Sequence, residues 1–263
     1  MNTTVTIITI NYNNAAGLKK TMDSVVAQTY SQIDYIVIDG ASNDGSIEVI
    51  KNFDQNKNLR WFSEEDKGIY NAMNKGIQKA TGTYVLFLNS GDYLDTEKVI
   101  ADIFSISYTK DILYGLIKTK DQNNKTIKNY PDQLSLDFLL SSSLPHPATF
   151  YRKALFDKLG GYDESLKIVG DWAFNLSAIA ANRATTQPLK KVVSVFDMTG
   201  ISSQIKQQEL KKAEGEKVLK KIFGSVIAAY IIESQEKKRE LSALKKIKKP
   251  SFSRYFKKLF DND

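Results

Sequence analysis

Four short apolar runs punctuate the first ninety residues, and each ends abruptly in polar side chains. They are residues 4–10 (TVTIITI), 33–38 (IDYIVI), 59–62 (LRWF) and 84–88 (YVLFL). Helical patterns separate them. Leu18, Met22, Val25 and Val26 fall on one face, with Asn13 or Asn14 as cap; a second helix runs through Glu48, Val49 and Ile50; a third covers residues 68–80. Near-continuous apolar strands alternating with helices predict a parallel sheet covered on both faces. Ligands of such sheets bind beyond the carboxyl ends of the strands. Those ends here read Asn11-Tyr12, Asp39-Gly40, Glu64-Glu65-Asp66 and Asn89-Ser90-Gly91-Asp92, so polar residues gather at the one edge where a site belongs.

The pattern changes after Asp92. Two strands flank the turn DQNNK, then "PATFYRKALFDKLGGYDESL" reads as strand, helix and turn, "GDWAFNLSAIAAN" as helix and "KKVVSVFDM" as strand. From Ser203 the chain is mostly helical, with Leu219, Ile222, Phe223, Val226, Ile227, Tyr230 and Ile231 on one side, and Pro250 breaks the last helix. No internal repeat is evident. A length of 263 residues suits one large domain with an appendage. The expected division is a catalytic domain over 1–203, with a nucleotide-binding half (1–95) and an acceptor half (96–203), followed by an extension over 204–263.

Charge marks the same division. Residues 206–258 carry 16 basic and 6 acidic side chains, whereas residues 1–205 carry 21 and 22. A near-neutral body thus bears a basic tail. With no cysteine in the chain, disulfides, thiolate metal sites, iron–sulfur clusters and cysteine nucleophiles are excluded. The N-terminus lacks a basic segment followed by a long apolar one, so no signal peptide is expected. The longest apolar run, residues 222–232, falls well short of the roughly 20 residues of a spanning helix.

A nucleotide site is the natural use of such a sheet edge, yet neither a Walker A loop nor a G-x-G-x-x-G follows the first strand. The alternative device is a divalent cation held by a carboxylate and bridging phosphates. Asp92 is the best placed carboxylate, and Gly91 lets the backbone come close. A turn-closing aspartate is the plainer reading of Asp92, and a helix cap that of Asp171.

The segments "TIITINYNN", "VIDGASNDGS", "SEEDKGIYNAMNKGIQKATGTYVLFLNSGDYL" and "GGYDESL…GDW" resemble the motifs of family 2 glycosyltransferases of the GT-A fold, closest to non-processive bacterial transferases of capsule, O-antigen or exopolysaccharide repeats. The resemblance covers residues 4–203. It implies an α/β GT-A fold, a mostly parallel central sheet flanked by helices, with the helical basic extension behind it. It implies a nucleotide-sugar donor, UDP-linked by preference, and a glycan or polyprenyl-diphosphate-linked acceptor. Thr9, Asn11 and Tyr12 would lie against the nucleoside and Asp39 would bond the base. Asp66, Lys67 and Gly68 would line the floor near base and ribose, beside Asn71, Asn74 and Lys75. Ser90, Gly91 and Asp92 take the metal motif, with Asp92 the ligand of Mn²⁺ or Mg²⁺, and Asp171 takes the place of the catalytic base.

An inverting transfer is one displacement at the anomeric carbon. It needs a base for the acceptor proton and a counter-charge for the departing diphosphate. Two departures stand out: the family's D-x-D reads Ser90-Gly91-Asp92, and the acidic residue common before the base is Gly170. The Q-x-x-R-W signature of processive synthases is absent, and Arg60-Trp61 sits inside a strand. His146, the lone histidine, is placed near acceptor or diphosphate. Trp172, although a packing residue in the first instance, borders the sugar pocket, and Ser202 lies in a loop, 197–203, that would close over the diphosphate. Lysines interleaved with Tyr255, Phe256 and Phe260 suit an anionic membrane surface, against which packing on the body or homodimerisation weigh nearly equally. No nucleic-acid motif accompanies the charge, so nucleic acid is not expected as a partner. The expected location is cytoplasmic, peripheral on the inner face of the cell membrane. A nucleotidyltransferase, or a non-catalytic nucleotide-binding module with a membrane tail, are the rival readings.

Overall fold

The computed structural model describes residues 3–120, 125–197 and 208–247. Ser202, the 198–203 part of the loop and the aromatic–lysine end of the tail lie outside the described residues. The four predicted strands are β1 (Val5–Asn11), β2 (Ile33–Asp39), β3 (Leu59–Ser63) and β4 (Tyr84–Phe87), all parallel and ordered β3-β2-β1-β4. β1 is buried along its whole length, because helices cover both of its faces. The register aligns Asn11 with Asp39 and Asp39 with Ser63, so three polar side chains stand in one row across the carboxyl ends.

Helix α1 (Ala15–Val26) is capped by Asn14, whose Oδ1 accepts from the Gly17 amide at 3.1 Å. Leu18, Met22 and Val25 are buried as the periodicity requires, but Val26 is exposed: it lies about 100° around the axis from Val25. After α2 (Ser46–Lys51), α3 (Ile69–Lys79) packs tightly on β1, since a Cβ at Gly76 would lie 2.5 Å from Ile8 Cγ2. β5 (Tyr93–Leu94), α4 (Val99–Ile103), β6 (Ile112–Lys120), β7 (Lys125–Lys128) and α5 (Leu136–Ser141) follow.

Beyond β4 the sheet is mixed. β8 (Thr149–Arg152) runs antiparallel to β4 and to β6, β6 lies parallel to β9 (Thr186–Asp197), and β5 returns antiparallel at the edge. β6 and β7 form the expected antiparallel pair. α6 (Lys153–Leu159) and α7 (Gly170–Leu176) meet the sheet through aromatic rings: Phe156 stacks on Phe174 at 4.6 Å, and Phe87, Tyr151 and Tyr162 close around them. Each such ring contributes roughly 1.5–3 kcal/mol by burial, which fixes α7 relative to the strands.

The chain divides into two compact units, residues 1–211 and 212–263. In the second, the apolar run expected as one helical face is broken. α8 (Gln208–Phe223) ends at Gly224, whose φ of +78° is left-handed, and α9 (Ser225–Ile247) starts anew. The two helices turn back on each other, with Lys212 Nζ 3.2 Å from Glu236 Oε1. Val218, Leu219, Ala228 and Ile231 are buried, whereas Val226, Ile227 and Tyr230 are exposed.

Candidate active site

The polar row is wired before any ligand arrives. Asp39 is fully buried. Its Oδ1 accepts from Asn11 Nδ2 (2.8 Å) and Ser42 Oγ (2.6 Å), and its Oδ2 from the Ser42 amide (2.9 Å) and Ser63 Oγ (2.8 Å). Burial alone would raise its pKa, but the bonds from Ser42, Asn11 and Ser63 outweigh it and hold the carboxyl below the usual carboxylate range. All four acceptor positions are thus in use, and a base contact at Asp39 requires the exchange of one of these bonds. Among the described residues, the Asn11 Oδ1 is buried with no hydrogen-bond partner. Tyr12, two-thirds exposed, comes within reach of Asp66 around Gly40, where a Cβ would lie 3.1 Å from each. Asp66 Oδ1 is held by Lys75 Nζ at 2.7 Å, which also reaches Glu65 O and Glu64 Oε1. The Lys67 amide donates to Asn71 Oδ1, and Gly68 gives the left-handed entry to α3 (φ +135°).

The fourth strand end is a turn fastened by a residue far away in sequence. Thr21, buried on α1, accepts from the Gly91 amide (2.9 Å) and donates to the Asp92 carbonyl (2.6 Å). Gly91 has φ +107°, a conformation that a side chain would strain. Asn14 Nδ2 donates to the Ser90 carbonyl at 3.1 Å. Asp92 is buried and lies 3.9 Å, Oδ2 to Nε2, from His146. His146 Nε2 in turn meets Asn89 Nδ2 at 3.1 Å, and Asn89 Oδ1 is buried without a hydrogen-bond partner among the described residues. Burial holds the His146 pKa below its usual value, with the nearby Asp171 charge pulling the other way.

Asp171 lies in the first turn of α7. It is not the cap: that position is Val169, and no side chain caps this helix. Ser143 Oγ approaches Asp171 Oδ2 at 3.5 Å, accepts from Asn175 Nδ2 at 3.2 Å, and Asn175 Oδ1 accepts from Tyr151 OH at 3.0 Å. Asp92, His146 and Asp171 therefore share one neighbourhood. Trp172 follows Asp171 in the chain, and its indole N–H donates to the Leu139 carbonyl at 2.6 Å, which anchors α5 to α7.

The structure gathers Asn11, Tyr12, Asp39, Asp66, Lys67 and Gly68 at one end of the sheet, Ser90, Gly91 and Asp92 at the β4 end, and His146 with Asp171 beside Asp92. Thr9 is not brought there. It is fully buried two residues inside β1, with its hydroxyl 3.1 Å from Tyr35 OH. Sequence reasoning missed Thr21, Ser42, Ser63 and Ser143, and gave Asn89 only as part of the polar end of the fourth strand. Ser42 and Ser63 were readable as neighbours of polar strand ends; Thr21 and Ser143 gave no signal, because their partners lie about 70 and 30 residues away.

The site is a row of polar side chains at the carboxyl ends of parallel strands in a helix-covered sheet, and the comparisons with known proteins place this fold in the GT-A class. Residues 6–160 match the family described as Glycosyl transferase family 2, and the chain belongs to that family. A PGL/p-HBAD biosynthesis glycosyltransferase of Mycobacterium bovis is 30% identical over 213 residues, 78% of this chain and 82% of that protein. An uncharacterized glycosyltransferase of Mycobacterium tuberculosis is 33% identical over 214 residues, 76% of this chain and 77% of that one. Among solved structures, residues 1–349 of S. aureus TarS in complex with UDP-GlcNAc superpose with a TM-score of 0.68 at 17% identity, over 87% of this chain and 70% of that one. Mannosyltransferase PcManGT from Pyrobaculum calidifontis, in complex with GDP-Man and Mn²⁺, gives 0.61 at 16% identity, over all of this chain and 89% of that one. The chain is a glycosyltransferase that uses a nucleotide sugar. Among the described residues, no helix is long and apolar enough to cross a membrane.

Proposed function

We propose that this enzyme transfers a hexosyl or N-acetylhexosaminyl group, with inversion, from a UDP-sugar to a hydroxyl of a glycan or lipid-linked acceptor in surface polysaccharide synthesis. The observation that carries the reading is the pairing of Asp92 with His146, which also feels the Asp171 charge, at a β4 end tied to β1 by the Ser90 amide on the Ile10 carbonyl, next to the Asn11–Asp39–Ser63 row. Asn11, Tyr12 and Asp66 form the nucleoside end, with the exposed Tyr12 ring open to stack on a base. The complex of TarS with UDP-GlcNAc supports UDP. Asp171 takes the proton of the acceptor hydroxyl as that oxygen attacks the anomeric carbon. The bond from this carbon to the diphosphate breaks on the opposite face, which inverts the configuration.

The residues around Asp92 fit a divalent cation. Asn89 Oδ1 is a buried acceptor without a hydrogen-bond partner among the described residues, turned from His146 by the amide nitrogen that meets the ring. Asp92 and Asn89 would hold Mn²⁺ or Mg²⁺, so an amide oxygen stands in for the missing second carboxylate. When bound, the cation supplies positive charge to the leaving diphosphate. His146 keeps Asn89 oriented, and Thr21 keeps the turn in place. Asp92→Ala leaves the bonds that Thr21, Asn14 and the backbone make to the turn and is expected to lose metal-dependent donor binding. Calorimetry with UDP, with and without Mn²⁺, reads this directly; unchanged metal-dependent affinity would remove Asp92 from the site.

A further inference from the structure

The base helix α7 starts with Gly170, where the family resemblance leads one to expect an acidic side chain. What stands there instead comes from α3. The buried Tyr70 hydroxyl donates to the Ile168 carbonyl at 2.8 Å and accepts from the Gly170 amide at 2.8 Å. The amides of a helix's first turn have no partner within the helix, and Tyr70 satisfies one of them, one residue before Asp171. Its ring fills the space over Gly170. A Cβ there would lie 2.6 Å from Cε2 and Cζ of the ring, closer than real Cβ contacts come. Position 170 is bare because Tyr70 lies against it.

We propose that Tyr70 is the positioning residue of the base. Its hydroxyl sets the entry of α7 and so the direction of the Asp171 carboxylate, in place of a side chain at 170. This rests on Asp171 being the base. Tyr70 stands in the first turn of α3, directly after Asp66-Lys67-Gly68, so the helix that starts at the donor floor also aims the base. Two further side chains of α3 hold the same loop. Asn74 accepts from the Tyr162 amide (2.8 Å) and donates to Glu164 Oε1 (2.8 Å), and Asn71 donates to Glu164 Oε2 (2.9 Å). Gly161, at φ +77°, lets Asn74 come this close: a Cβ there would lie 2.7 Å from Asn74 Oδ1.

The test is Tyr70→Phe in the full chain, which keeps the ring and its packing and removes only the hydroxyl. With the donor best hydrolysed from a panel of UDP-, GDP- and dTDP-sugars, kcat is expected to fall by about 10- to 100-fold. KM and UDP affinity should stay within about twofold, because no donor contact changes. In an Asp171→Asn background the same change should have no further effect, since its action runs through the carboxylate. Wild-type kcat in Tyr70→Phe, or an equal further loss on top of Asp171→Asn, overturns the proposal. Should Asp171→Asn alone retain wild-type turnover, the base assignment is what fails. Amide exchange across residues 167–173 then still reads Tyr70: faster exchange in Tyr70→Phe is expected, and equal exchange overturns the bracket.

Discussion

Asp39 turns its carboxylate inward, onto Asn11, Ser42 and Ser63, and this has a consequence for acid stability. Its pKa is lower in the folded chain than in the unfolded one, where it is about 3.9. The stabilisation is therefore complete above pH ~4 and is lost as pH falls through the folded value. Asp39→Asn leaves several donors of the row without their anionic acceptor and is expected to destabilise by about 1–3 kcal/mol at pH 7. Thermal unfolding followed from pH 6 to pH 3 should show a shallower decline below pH 4 in the variant than in the wild type; parallel curves would mean that Asp39 is not held ionised by its neighbours. Asp92, by contrast, sits where the sequence placed it, at the end of β4, but the reason the turn holds its shape was not legible. Thr21 is an ordinary helix residue in sequence, and only the packing of α1 beside β4 brings its hydroxyl to Gly91.

At the scale of elements, the four parallel strands and their helices were legible because their signal is local: β-branched apolar runs of strand length and helical periodicity between them. Order within the sheet was not. That β8 slots beside β4 and that β5 returns to the edge beside β9 are long-range pairings, which no local pattern carries. The same limit explains Asp171. A helix start suggests a capping role for Asp171, and only the backbone shows that Val169, not Asp171, holds the cap position. Thr9 failed for a related reason. A strand end is polar in the sequence over several residues, but Thr9 lies two residues deeper in β1, buried with its hydroxyl against Tyr35 OH, while Asn11, on the same face, stands at the row. Gly224 was the missed signal in the tail, since a glycine midway along an apolar run marks the end of one helix and the start of another.

The whole molecule joins a near-neutral catalytic unit to a basic helical one, and we propose that the second binds anionic membrane surface. Val226, Ile227 and Tyr230 are exposed on α9 of a chain segment rich in lysine. Each basic residue near an anionic surface contributes about 1 kcal/mol, and salt screens it. Full-length protein should co-sediment with phosphatidylserine-containing vesicles at low salt and release them as salt rises. A chain stopped after Lys211 that binds equally well, or a full chain that ignores the vesicles, would assign the exposed face to another use.

We propose that one carboxylate, Asp171, activates the nucleophile for a sugar carried by a nucleotide. Hydrolysis isolates it, because water then takes the place of the acceptor. Release of nucleoside diphosphate from a panel of UDP-, GDP- and dTDP-sugars, with Mn²⁺ present, is to be compared between wild type and Asp171→Asn, alongside UDP affinity by calorimetry. The amide keeps the shape of the side chain but cannot take a proton, so the rate should fall by about 10²- to 10⁴-fold while UDP affinity is unchanged. An Asp171→Asn enzyme that hydrolyses the donor at nearly the wild-type rate would contradict the claim.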